Sequence, residues 1–225
     1  MDTEMKPIAI EIKDESAAAS GMQRALVACG ILSSALFFVT DIAAAILTRG
    51  YSYFSQNSGE LFATGAPTRG LLVILYSIYN LLVVLFGVGI WTSASYRTSL
   101  RFTGLLLVAY ALAGQARLLF FPMHGGAEER AISDNMNIIF TGLIVLLVLL
   151  AVGYGASAFG KRFRRYSVGT IVVLILFAIG ASINNTRIEE HLSTPALGII
   201  ERVYWYGTLL WIAMLSRILL RGGKW

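Results

Sequence analysis

The sequence predicts an all-α, polytopic membrane protein: six transmembrane helices in one bundle, with both termini cytoplasmic. Three observations carry that prediction. First, the 225-residue chain is 56% hydrophobic and only 14% charged, where soluble domains carry about 25% charged residues. A chain this apolar, with a mean hydropathy of +0.70, cannot cover a water-facing surface, so lipid must be its solvent. Second, six apolar runs each approach the roughly 20 residues needed to span a hydrocarbon core as helix. Third, Lys and Arg fall on one set of connections and acids on the other.

Residues 1–21 are polar and mixed in charge, and read as a disordered cytoplasmic tail rather than a signal peptide, because the apolar run behind them is too long for a signal h-region. Residues 22–225 read as a single six-helix domain. Its spans fall at about 23–48, 70–94, 102–121, 136–159, 167–185 and 199–220. The second, "GLLVILYSIYNLLVVLFGVGIWTSA", and the fourth, "MNIIFTGLIVLLVLLAVGYGASAFG", are the plainest. Each must be a helix, since lipid offers no partner to an open backbone. The runs are continuously apolar without a period of two, which excludes barrel strands. Gly, Ala and Ser in "GVGIW", "AVGYGASAFG" and "AIGAS" suit close helix–helix approach. The single cysteine, Cys29, lies in an apolar run and has no intramolecular partner.

Orientation follows from the cations. Arg97 and Arg101 lie between spans two and three. Lys161, Arg162, Arg164 and Arg165 lie between four and five, and Arg221 and Lys224 follow six; none of these segments holds an acid. Beyond the tail, every acid lies in or near the other connections. The net charge of +5 is therefore the positive-inside rule at work, and no basic soluble surface exists to take nucleic acid. The expected place is the plasma or inner membrane, with the bilayer as partner.

The outer connections concentrate the polar residues: "RGYSYFSQNSGELFATGAPTRG", "FPMHGGAEERAISDNMN" and "NNTRIEEHLSTPALGIIERVYWYG". All three combine turn residues, charge and aromatics, and loops this long without structure are uncommon unless functional. They are expected to pack as a lid. Ionisable groups also enter the spans. Asp41 lies within span one, where an acid costs on the order of 3 kcal/mol and demands a partner. Arg117, near the outer end of span three, lies at similar depth by span counting, so Asp41–Arg117 is the expected intramembrane pair, more readily a structural tie than a transport site. Asp134 suits the N-terminus of span four, as a cap. Glu201 and Arg202, adjacent on span six, point about 100° apart and need separate partners; Arg69 and Arg117 are candidates for Glu201, Glu60 and Asp134 for Arg202. His124 and His191, with scattered acids, fall short of the three or four clustered ligands of a zinc site. No metal or cofactor is expected, and no nucleophile elbow, phosphate loop or cofactor fingerprint is present.

Three segments together resemble a family of bacterial and archaeal integral membrane proteins, domain of unknown function 998. "SGELFATGAPTRG" is similar to that family's first-loop motif. "FPMHGGAEERAISDNMNIIFTG" is similar to its second signature, a Phe-Pro-Met followed by a Ser-Asp step. "STPALGIIERVYWYGTLLW" is similar to its third, near the start of the last helix. The resemblance covers most of residues 22–220 and implies that the family's motif positions here are Glu60, Gly65, Pro67, Pro122, Asp134, Glu201 and Arg202. Asn137 stands where the family usually has a histidine. The family's activity is not settled. The layout also resembles, more distantly, the six-span Frag1, DRAM and Sfk1 proteins, which act in membrane organisation.

The candidate ligand or polar cluster is therefore Glu60, Gly65, Pro67, Pro122, His124, Asp134, Asn137, Glu201 and Arg202. The reading favoured is a non-enzymatic protein whose outer cluster binds a lipid headgroup, a small ligand or a partner; no residue is assigned as catalytic. A transporter or channel is the alternative that Asp41 supports, though no paired broken helices or inverted repeats are visible. An intramembrane lipid hydrolase would use the carboxylates and His124 for acid–base work, but two histidines and Asn137 count against it. The sequence does not give the oligomeric state. Reporter fusions at residue 162 and at the C-terminus should report cytoplasm, and one at residue 127 the opposite side; an external signal at 162 would overturn this topology.

Overall fold

The computed structural model describes residues 5–63, 65–93, 98–122, 131–189 and 195–222. Its helices are α1 (Met5–Leu47), α2 (Arg69–Ser93), α3 (Thr98–Phe120), α4 (Ala131–Ala156), α5 (Lys161–Glu189) and α6 (Leu197–Leu220). Each contains a stretch long and apolar enough to cross a membrane, six in all, and no strand occurs among the described residues.

Several helices start before their expected spans, and α5 runs past its expected end. Where a disordered tail is expected, α1 begins at Met5. Pro7 falls in its first turn, where a missing N–H removes no helical bond, and Glu, Lys and Ala behind it are good helix formers. At the other end of the bundle, α4 starts at Ala131 and α5 reaches Glu189. The connections between α3 and α4 and between α5 and α6 are correspondingly shorter than the sequence suggests. The basic run Lys161–Arg165 opens α5, because long cationic side chains can hold helical backbone while their heads reach the interface.

Each helix packs on its chain neighbours, and α6 also packs on α1, so the six close into a ring. Two hydrogen bonds in opposite directions close it. Ser34 Oγ on α1 donates to the Leu209 carbonyl of α6 (3.0 Å), and Ser216 Oγ on α6 donates to the Val27 carbonyl of α1 (2.7 Å). The small residues act where helices touch most closely. A Cβ on Gly104 would lie 2.5 Å from the Gly87 carbonyl oxygen, and one on Gly87 would lie 2.7 Å from that of Gly104, so α2 and α3 meet backbone to backbone. Gly155 of α4 makes room for the ring of Trp211, which is buried at the bundle centre with its Nε1 donating to Ser167 Oγ at 3.0 Å. Gly153, by contrast, faces open space.

The interior is divided along its length. Phe86, Ile90, Leu107, Val148, Val152, Phe163, Trp211, Ile212 and Leu215 fill the half nearest the short basic links with apolar side chains. The half under the first loop instead holds Asp41, Tyr79, Asn80, Tyr110, Arg202 and Tyr204, all buried. Polar groups at that depth must pair with one another, and several do: Tyr79 and Tyr110 hydroxyls lie 2.8 Å apart, and Asn80 Nδ2 donates to Gln115 Oε1 (3.0 Å), whose Nε2 donates to Ser77 Oγ (2.9 Å).

Gly104→Val should strongly lower the thermal stability of the purified protein, by about 1–3 kcal/mol or more for an overpacked contact, because backbone stands where the side chain must go. Gly153→Val should stay near wild type in the same melt.

Candidate functional site

The first connection, residues 48–68, is a folded cap. Gly50 takes a φ of +78°, which an L side chain disfavours, and turns the chain at the end of α1. A five-residue 3₁₀ helix, Ser58–Phe62, follows, capped reciprocally: the Asn57 side chain accepts from Gly59 N, while Glu60 accepts from Asn57 N at 3.2 Å. Glu60 Oε2 also accepts from Gln56 Nε2 at 2.8 Å. Leu61 is buried against Ala44 of α1 and Leu72 of α2, and pins the 3₁₀ turn to the bundle. Gly65 has a φ of +93°. Pro67 occupies the second position of a turn closed by Arg69 N donating to the Ala66 carbonyl (3.1 Å), and Thr68 Oγ1 donates back to the Leu61 carbonyl (3.2 Å).

This cap is fastened by Arg202, which is 2% exposed. A guanidinium has five N–H donors, and here each has an acceptor. Nε donates to Asp41 Oδ2 (2.9 Å) and Nη2 to Asp41 Oδ1 (3.3 Å). Nη2 also donates to Tyr51 Oη (3.0 Å), and Nη1 to the carbonyls of Tyr53 (2.7 Å) and Gly198 (3.2 Å). The Tyr53 ring lies 3.6 Å beneath the guanidinium carbon. Asp41 Oδ2 accepts further bonds from Tyr206 Oη (2.7 Å) and Tyr53 Oη (3.1 Å), and the two hydroxyls also contact each other. Burial pushes the phenols of Tyr51 and Tyr53 above their ordinary value, with the Arg202 hydrogen bond opposing this at Tyr51. Both therefore keep their protons at neutral pH.

Gly198 makes this approach possible. A Cβ there would strike the carbonyl oxygens of Tyr53, Gln56 and Phe54. The Phe54 carbonyl instead accepts from Ile199 N (3.2 Å), satisfying a first-turn donor of α6.

The expected Asp41–Arg117 pair does not form; Asp41 is bound to Arg202. Two facts of the fold explain the exchange. α1 packs on α2 and α6, and α3 is not among its main neighbours. Counted from the helix ends, Asp41 and Arg202 lie six and five residues in, roughly 9 and 7.5 Å at 1.5 Å per residue, while Arg117 is only about 4.5 Å in. Glu201 and Arg202 do find separate partners, but not those expected. Glu201 accepts from Ser58 N (3.1 Å) and Ser58 Oγ (3.3 Å). Glu60 stays in the cap as a local acceptor, because its carboxylate is already used by the backbone and side chain beside it.

Arg117 begins a second cluster. Its Nη1 donates to Asn137 Oδ1 over a long 3.4 Å, and Asn137 Nδ2 donates to the Phe121 carbonyl. Asn137 thus both accepts and donates, as a neutral imidazole in its place could. Nearby, Ser133 Oγ donates to the Pro122 carbonyl at 3.1 Å and joins the end of α3 to the start of α4. Asp134 lies in the first turn of α4, where the helix dipole favours an acid. Arg117 Nε is buried and has no acceptor among the described residues. His124 lies outside those residues, as does His191.

So the predicted residues divide: Asp41 and Arg202 in one cluster, Arg117, Asn137 and Pro122 at another, with Glu60, Gly65 and Pro67 shaping the cap and Glu201 holding it. The sequence reading missed Tyr51, Tyr53, Tyr206 and Gly198. One signal was available: Arg202 and Tyr206 are four apart, on one face of α6.

The model of a protein family of unknown function, DUF998, matches residues 31–218, almost the whole transmembrane region. The chain belongs to that family. No curated protein and no solved structure matches it at a significant level. This DUF998 member is thus a multi-pass membrane protein whose family carries no assigned activity.

Breaking the buried pair strands a charge, a loss of about 3–5 kcal/mol. Asp41→Asn and Arg202→Gln should each sharply reduce the folded yield in membranes, and the double variant should lose much less than the sum of the two. Glu60→Gln should cost under about 1 kcal/mol. Additive losses at 41 and 202 would mean the two residues do not meet.

Proposed function

We propose that this protein is a non-enzymatic binding protein of the cell membrane. Its first-loop end faces outward, its basic short links face the cytoplasm, and the outward end receives the anionic group of a lipid headgroup or small ligand at Arg117. One observation carries the reading: a guanidinium N–H, buried at the edge of the hydrocarbon zone, has no acceptor among the described residues. Leaving a charged donor unmade is expensive, and elsewhere on the same guanidinium Nη1 makes only a long bond, to Asn137 Oδ1. An arriving anion would supply both hydrogen bond and counter-charge. The cap supports the reading as well, since it holds the α1–α6 wall fixed and leaves Arg117 on the opposite side of the interior.

The transport alternative loses its main support. Asp41 accepts four hydrogen bonds, two of them from a guanidinium, and so has no vacancy for a travelling ion. The hydroxyls that do sit beside a carboxylate, Ser58 at Glu201 and Tyr53 and Tyr206 at Asp41, are spent in fastening the cap.

In alkyl maltoside micelles, which carry no phosphate, adding phosphatidylglycerol should raise the melting temperature of the wild type, and an uncharged glycolipid should not. Arg117→Gln should abolish that shift while staying near the lipid-free stability of the wild type, because it removes a buried guanidinium whose Nε–H has no acceptor among the described residues. A phosphatidylglycerol shift that survives Arg117→Gln would remove the basis of the proposal.

A further inference from the structure

The first five residues of α5 include four cations, Lys161, Arg162, Arg164 and Arg165, and all four are exposed. None has an ion pair or a side-chain hydrogen bond among the described residues. They also stand at the end of a helix where the dipole disfavours cations. The acids carried toward this end of the bundle, Glu11, Asp14 and Glu15, ride on α1 ahead of its span, and α1 packs on α2 and α6.

Phe163 fixes how the run is presented. Its side chain is fully buried and packs against Phe159 and Trp211, with ring centroids 5.3 and 6.2 Å away. At about 100° per residue, Lys161 and Arg165 each lie about 160° round the helix from Phe163, whereas Arg162 and Arg164 lie about 100° to either side. Lys161 and Arg165 are therefore neighbours on the face turned furthest from the bundle. Val168, Val172, Leu176, Ile179 and Ile183 continue that face, and all are exposed. Gly169 beside them faces open space. Only 11% of the apolar window of α5 is buried, against 28–44% in the other five spans, so α5 is the helix least covered by its neighbours.

Depth matches this face to a lipid molecule. Residues 166–183 carry no charge. As helix they rise about 27 Å, close to the roughly 30 Å of a hydrocarbon core. Lys161 and Arg165 then stand at headgroup level, with the apolar strip directly beneath them. A soluble anion would use only the charged half of this surface. Setting the topology asks only for cations in the link; it does not require them to stand in line with the strip.

We infer that the start of α5 docks an anionic phospholipid of the leaflet on that side, with its phosphate across Lys161 and Arg165 and one acyl chain along Val168, Val172 and Leu176. This surface is separate from Arg117 and stands or falls independently of it. Its cations and its strip lie on one helix, so it holds lipid whether or not the bundle is packed. A ligand held equally by both states leaves the melting temperature where it is, so binding here is read as lipid retained.

The test follows lipid retention by the full chain in maltoside micelles, by native mass spectrometry, with Arg117→Gln in place to silence the other site. Phosphatidylglycerol should bind, and phosphatidylcholine, whose choline offsets its phosphate, should bind far less. Adding Lys161→Gln/Arg165→Gln should weaken phosphatidylglycerol binding about 10- to 30-fold, and Arg162→Gln/Arg164→Gln clearly less. Equal losses from the two pairs would mean that cation number alone sets binding, and would overturn the face assigned here. No phosphatidylglycerol binding in Arg117→Gln would overturn it too, and leave the Arg117 site standing. Because these cations also orient the chain, a second measurement uses the unaltered sequence in phosphatidylglycerol vesicles, where a lipid with a photoreactive acyl chain should label residues 168–176. Label confined to other helices would overturn the proposal even if the glutamine variants fail to insert.

Discussion

The arrangement of the first-loop end depends on one buried ion pair, Asp41 with Arg202. Neither charge could stay at that depth alone, and the pair is tolerable only because every remaining donor of the guanidinium is also met. That requirement recruits the cap. The carbonyl, ring and hydroxyl of Tyr53 all serve the pair, with Tyr51 and Tyr206 completing it. A loop with unsatisfied backbone would normally stand off in water. This one lies on the bundle because its polar groups are what the charges need. The absence of a side chain at Gly198 lets the two backbones meet.

The bundle divides its labour by depth. Near the basic links, aromatic and branched side chains fill the centre as in any close-packed interior, with Trp211 between α4 and α5. Toward the cap, tyrosines, amides and charges replace them. An all-apolar interior would have been easier to insert in lipid. Polar groups retained there mark either a structural network or a route to a ligand. The two kinds can be told apart by satisfaction: the Asp41–Arg202 cluster is complete, whereas Arg117 Nε has no acceptor among the described residues.

Much of this architecture was legible in the sequence. Span number and position follow from run length and the distribution of Lys and Arg, two signals that bilayer physics enforces locally. Helix ends were less legible, because "SDNMN" and "NNTRIE" are polar enough to leave the hydrocarbon zone yet fully compatible with helix. Partnership was not legible. Asp41 and Arg202 are 161 residues apart, and which cation an intramembrane acid meets depends on which helices are neighbours in the ring. Arg117 looked equivalent by span counting, but α3 ends only three residues past it, at Phe120, while α6 begins two residues before its expected span and so carries Arg202 deeper. The cap chemistry was half visible: Glu60, Gly65 and Pro67 announce turns and caps, but nothing in "GYSYF" tells that Tyr51 and Tyr53 turn inward.

Joining the first helix to the last has a consequence for biosynthesis. α1 leaves the ribosome long before α6, so during insertion Asp41 faces lipid or the translocation machinery with no counter-charge. The ring cannot close, nor the cap settle, until the final span arrives with Arg202. Chains cut short before α6 therefore keep an exposed acid and a loose loop, features that membrane proteases can recognise. The pair that fixes the first-loop end can therefore form only once the helix that carries Arg202 is in place.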